Sequence, residues 1–113
     1  MSGAAAAARA AGWRAEGLHV QVASGWFDPL LAASAEILAA WKQPGARLLV
    51  LLADPPEAIL SQRARMEMVA ALRVVDAVAP AAEAGELNVD RDFGPDHEML
   101  RAGFVNHVLK RMG

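Results

Sequence analysis

Residues 25–34, Gly-Trp-Phe-Asp-Pro-Leu-Leu-Ala-Ala-Ser, are the stretch best placed to do chemistry. They lead from a short apolar segment into a helical pattern, and strand-to-helix turns of this kind gather backbone N–H groups and the positive end of a helix dipole around phosphates. Asp28 and Ser34 are the polar side chains of the turn, and Trp26 could stack on a base, with Phe27 beside it in the core. The turn has no histidine, no lysine and no glycine pair. Arg65, on the later helix, reads from the residues alone as a solvated surface arginine. Arg63 lies two residues away and faces another side of the helix, so the two make no clamp by spacing.

Other groupings are weaker. Asp-Arg-Asp-Phe-Gly-Pro-Asp-His-Glu, residues 90–98, concentrates carboxylates around His97 and suggests Mg²⁺. Its simpler role is to start a helix, with Pro95 in the first turn and Asp96 and Glu98 favouring the positive end. His97 and His107 are ten residues apart on that helix, beyond the reach of a two-histidine ligand pair, and His19 is remote from both. Ser24, Ser34 and Ser61 have no evident base. With no cysteine, thiolate metal sites, disulfides and a cysteine nucleophile are all excluded.

The elements that must hold these residues alternate. Residues 4–15, nearly all alanine and arginine, predict a helix with a frayed start over residues 1–8, stopped at Gly17. Leu18-His-Val-Gln-Val-Ala-Ser24 alternates as a strand does, and Gly25 ends it. Asp28-Pro29 reads as an N-cap with proline at the first helical position, opening a helix to about Lys42 along Leu30, Leu31, Ser34, Ile37, Leu38 and Trp41. Arg47–Asp54 is a continuous apolar run, as in a parallel strand covered on both faces. Asp54-Pro55 repeats the cap-then-proline signal before a helix through Met66, Val69 and Leu72. Residues 75–79 make a third strand, 80–86 a turn, 87–90 a short fourth strand, and 95–112 a last helix with Leu100, Phe104, Val108 and Leu109 on one face. This alternation predicts one α/β domain over residues 1–113: a three-layer, Rossmann-like, mostly parallel sheet with helices on both faces. Ligands in such folds sit beyond the carboxyl ends of the strands, and residues 25–34 form that turn.

A net charge of −2 with scattered Arg and Lys removes the electrostatic basis for binding nucleic acid or an anionic membrane. No run reaches the roughly 18 apolar residues of a membrane span, and the alanine-rich N-terminus lacks a basic leader. The expectation is a soluble, cytoplasmic chain whose partner is a small molecule or a protein.

Gly25-Trp-Phe-Asp-Pro-Leu30, the later Leu-Leu-Val-Leu-Leu-Ala-Asp-Pro-Pro56, and Arg65-Met-Glu-Met-Val-Ala-Ala-Leu-Arg-Val-Val-Asp-Ala-Val78 together resemble the cytidylyltransferase-like nucleotidyltransferases, in particular the nucleotidyl-transfer domain of ADP-heptose synthase. The resemblance covers roughly residues 5–80 in order and spacing. It implies a HUP-type Rossmann-like fold and attack of a sugar phosphate on the α-phosphate of ATP or CTP, with Mg²⁺ present and pyrophosphate released. It also implies a nucleotide site at Gly25, Trp26, Phe27, Asp28, Leu31, Ser34 and Arg65, with Asp28, Ser34 and Arg65 carrying what activity remains.

The motif is degenerate where the chemistry lies. The family's G-x-F-D-x-L-H-x-G-H has Leu31 and Ser34 at its histidines and Ala33 at its second glycine. Losing one preorganised donor of this type costs on the order of 10²–10³ in rate. The basic loop after the second strand is expected to be missing, Ala53–Met68 passing almost directly into the next helix, and the Ser/Thr-rich turn before the last helix is matched at best by Gly103-Phe-Val-Asn106. Loss of all three phosphate-handling motifs implies a pseudoenzyme that keeps at most a nucleotide or phosphate pocket. The alternative expectation is a non-catalytic interaction or structural module, such as a homodimeric scaffold, whose cleft is filled by its own side chains.

Overall fold

Leu48–Leu52 runs through the middle of the sheet and is buried at every position, which is why no polar residue interrupts it. The computed structural model describes residues 1–85 and 87–112. In chain order these form α1 (Gly3–Ala15), β1 (Val20–Gly25), α2 (Ala32–Trp41), β2 (Arg47–Leu52), α3 (Gln62–Ala70), β3 (Ala77–Pro80), a single 3₁₀ turn (Ala81–Glu83), β4 (Arg91–Asp92) and α4 (Gly94–Met112). Glu86, the end of the expected 80–86 turn, and Gly113 lie outside the described residues.

The sheet order is β3-β2-β1-β4, and every neighbouring pair is parallel. Strand period two sends Val20, Val22, Leu49, Leu51, Ala77 and Ala79 to one face, under Ala6 and Ala10 of α1. The small alanine side chains let that helix lie close to the sheet. Ala23, Leu48, Val50, Leu52 and Val78 point the other way, against Leu38, Val69, Phe27 and Phe93. The fold is therefore a single-domain, Rossmann-like α/β arrangement with helices on both faces. Among the described residues no helix is long and apolar enough to cross a membrane.

Several local expectations give way to tertiary contacts. The start of α1 is not frayed: Ser2 caps it by accepting from the Ala5 N–H, and Gly3 and Ala6 are buried, with Gly3 against the Glu83 backbone. Gln21 is buried and holds the end of α2 in place, donating from Nε2 to the Trp41 carbonyl (3.2 Å) and accepting the Gln43 N–H (2.7 Å). Residues 87–90 are not the fourth strand, which forms at Arg91–Asp92. The Asp90 carboxylate takes the Val22 N–H (2.7 Å), the donor a ladder carbonyl would otherwise need, so pairing starts one residue later.

Neither Asp-Pro pair caps a helix. The Asp28–Pro29 peptide is cis, and α2 begins only after Leu31, where Ser34 Oγ accepts the Leu31 N–H (3.0 Å) and donates to the Leu31 carbonyl (2.8 Å). After Asp54-Pro55 the chain runs as an irregular loop through residues 53–60, and α3 is capped by Ser61, which accepts from the Ala64 N–H. The passage between β2 and α3 is thus a loop and not the direct connection expected. Gly103–Asn106 also lies inside α4, not in a turn before it.

Candidate functional site

Because β2 and β3 lie on one side of β1 and β4 on the other, the chain reverses its direction of travel across the sheet between β1 and β4. Ligands of open α/β sheets bind at such a switch point. The turn leaving β1 lies there, and so does the start of α4, since Phe93 follows β4 directly and its N–H donates to the Ser24 carbonyl (2.8 Å).

His97 fills the switch point. Its Nδ1 accepts the N–H of Trp26 (2.9 Å) and of Phe27 (3.3 Å), which are the backbone donors a phosphate would use. With Nδ1 accepting, the ring proton belongs on Nε2. The imidazole lies 4.2 Å from the Phe27 ring centroid and 6.1 Å from that of Phe93. Burial in this aromatic setting lowers its pKa from 6.5 to about 4, against the partly opposing charges of Asp96 and Asp92, so the ring is neutral at pH 7. Gly25 lacks a side chain for a local reason: a Cβ there would run into the His97 ring. Phe27 sits at φ +48°, in the left-handed region that a bulky residue adopts only when its surroundings hold it there.

Arg65 is not a solvated arginine. It is 1% exposed, and its guanidinium reads the turn from below. Nε donates to the Leu60 carbonyl (3.1 Å), one terminal nitrogen to the carbonyls of Ala53 (2.9 Å) and Trp26 (3.2 Å), and the other to Asp54 Oδ1 (2.6 Å). Asp54 therefore serves as the counter-ion of Arg65. The planar fork lets one side chain reach three carbonyls on two segments.

Asp28, also buried, points away from α2. Its two carboxylate oxygens accept the N–H groups of Ile59 and Leu60, both at 2.7 Å, and Arg101 Nε lies 3.6 Å from Oδ2. Arg101 in turn donates to the Glu57 carbonyl and lies over the Trp26 indole at 6.0 Å. Asp28, Arg65, His97 and Arg101 together bind the turn after β1, the 53–60 loop and the first turns of α4 into one hydrogen-bonded unit.

Of the residues singled out from sequence, Gly25, Trp26, Phe27, Asp28 and Arg65 do come together at this point. Ser34, spent on capping α2, and Leu31, which is half-buried ahead of that helix, stand apart from it. His97 and Arg101 were not expected here. The only sequence signal for them is their i, i+4 spacing, which puts both on the face of α4 that meets the turn. The donors a Mg²⁺ ion would need are also committed. Asp28 is closed by two N–H groups, and Asp92 Oδ1 accepts from Ser24 Oγ and the Gly94 N–H, both at 2.9 Å. Among the described residues no group of three or more carboxylates and histidines is arranged to hold that ion.

Beside the filled switch point lies an open groove of about 480 Å³ between Trp26, the Pro56–Glu57 corner and α4. Half-exposed Trp26 forms one wall, and Glu98, Arg101 and Val105 line the helical side.

Comparison of the chain with protein-family models, with curated proteins and with solved structures gave no match. The motifs at residues 25–30, 48–56 and 65–78 therefore stand alone as the basis of the resemblance.

Proposed function

We infer that the chain is a divergent relative of the cytidylyltransferase-like nucleotidyltransferases that no longer transfers nucleotides and works as a non-catalytic interaction module. One observation carries this reading: His97 Nδ1 takes both backbone donors of the turn after β1. An internal, uncharged acceptor stands where a phosphate oxygen would have to sit, and Arg65, a cation at that turn, is spent on the carbonyls of Trp26, Ala53 and Leu60. Family ancestry is supported by the order of the motifs and by a parallel sheet whose first strand-to-helix turn falls at Gly25–Ser34.

A thermal-shift titration tests this. Wild-type protein with ATP or CTP plus Mg²⁺ should show no saturable rise in Tm, because a ligand stabilises only the state it binds. His97→Ala, which frees the Trp26 and Phe27 N–H groups, should gain a rise with inorganic phosphate that the wild type lacks. A saturable shift of the wild type by either nucleotide would refute the proposal.

The second reading, a residual nucleotide pocket, draws on the groove, where Trp26 offers an exposed aromatic face with Arg101 beside it. It requires that wild-type shift, and loss of the shift in Trp26→Ala.

A further inference from the structure

From Val105 to Arg111 every residue of α4 is exposed, and the molecule measures 55 Å along its long axis against 26 and 21 Å across, as a helix end running past the body requires. That end is not polar. Leu109 is 61% exposed, and Val105 and Val108 are 38% and 36% exposed. Glu98, Ala102, Val105 and Leu109 are spaced four, three and four apart, the repeat of a helix–helix seam. The first three of them line the groove beside Trp26 and Pro56. The seam therefore begins in the groove and continues, uncovered, along the projecting half of the helix.

We propose that this seam is the interface of a homodimer in which α4 helices of two copies pack antiparallel, each placing Leu109 in the other's groove against Trp26 and Pro56. Charge selects the occupant and its direction. The acidic first turns of α4 carry Asp96 and Glu98, and the last turn carries Lys110 and Arg111. With Ala102 opposite the second copy's Val105, Leu109 falls level with Glu98, and Lys110 and Arg111 of each copy reach the Asp96–Glu98 turn of the other. Parallel packing would set acidic turn on acidic turn and basic on basic. Opposed helix dipoles favour the same direction. The seam from Glu98 to Leu109 is about 16 Å long at 1.5 Å per residue, so the interface is small and the dimer should dissociate on dilution. The proposal names a partner for the interaction module inferred above, but it stands on α4 and not on the filled switch point. A monomeric protein would overturn it while leaving the nucleotide titrations unaffected.

Sedimentation equilibrium over a concentration series into the high micromolar range tests it, with far-UV circular dichroism confirming that each variant is folded. Wild type should pass from monomer to dimer. Leu109→Glu, at an exposed position that leaves the monomer intact, should raise the dimer Kd about tenfold or more, as removal of a central apolar anchor does. Glu98→Lys and Arg111→Glu should each weaken the dimer, and the double variant should recover most of the loss. A monomer at all concentrations, a dimer indifferent to Leu109→Glu, or a double charge reversal no better than the singles would overturn the proposal.

Discussion

Replacing His97 with alanine should lower stability at neutral pH and remove a specific acid sensitivity at the same time. At pH 7 the variant leaves the Trp26 and Phe27 N–H groups without their acceptor, at about 1–3 kcal/mol for each one that water fails to reach. It also loses the ring packed against Phe27 and Phe93. A net loss of about 2–4 kcal/mol is expected. The acid limb works in the opposite direction. His97 has a folded-state pKa of about 4, against 6.5 in its ordinary setting. Between those values the unfolded chain binds more protons than the folded one. The contribution is therefore fully present above pH 6.5 and is lost as pH falls toward 4, up to about 3 kcal/mol in all. Wild type suffers that loss and His97→Ala does not, so the stability gap between them should shrink by about 3 kcal/mol from pH 7 to pH 4. Urea unfolding of both proteins at a series of pH values measures this, since the difference between them removes the contribution of groups that do not interact with His97. A gap that stays constant with pH would refute the assignment of His97 as a buried neutral acceptor.

Three further substitutions probe the same unit. Arg65→Lys keeps the charge but cannot span the carbonyls of Trp26, Ala53 and Leu60, so urea unfolding should show a loss of about 2–4 kcal/mol. Full stability would mean that a point charge is enough there. Asp28→Asn keeps the shape yet can no longer accept both the Ile59 and Leu60 N–H groups as an anion, and it leaves Arg101 without its counter-ion. A loss of about 1.5–3 kcal/mol is expected, with faster amide exchange at Ile59 and Leu60 as the local signature; unchanged exchange would contradict it. Gly25→Ala forces the His97 ring out of the turn, so it should reproduce the flattened pH dependence of His97→Ala, and a pH profile like that of wild type would count against the close approach.

The architecture was legible because its signals are local. Leu48–Leu52 reads as a strand buried on both sides, and the periodic runs around it allow little but alternating strand and helix. The helix caps were misread where a local preference competed with a distant partner. Asp28 could have capped α2 for about 1 kcal/mol, but its carboxylate instead takes two N–H groups more than thirty residues ahead and faces Arg101. Asp54 likewise serves Arg65 and caps nothing. The site was only half legible. Residues 25–28 and Arg65 could be placed by motif, but the group that occupies the turn comes from 70 residues away, and nothing in the spelling of residues 25–34 points to it. Placing His97 requires knowing that β4 lies beside β1, and β4 is two residues long, too short to leave a pattern.

Nitrogen-15 NMR of the His97 imidazole, followed across a pH titration with and without ATP and Mg²⁺, tests the filled switch point most directly. The prediction is an unprotonated, hydrogen-bond-accepting Nδ1 with the proton on Nε2, a titration near pH 4, and resonances that nucleotide does not move. A proton on Nδ1 at neutral pH, a titration near 6.5, or displacement of the ring by ATP would contradict the account.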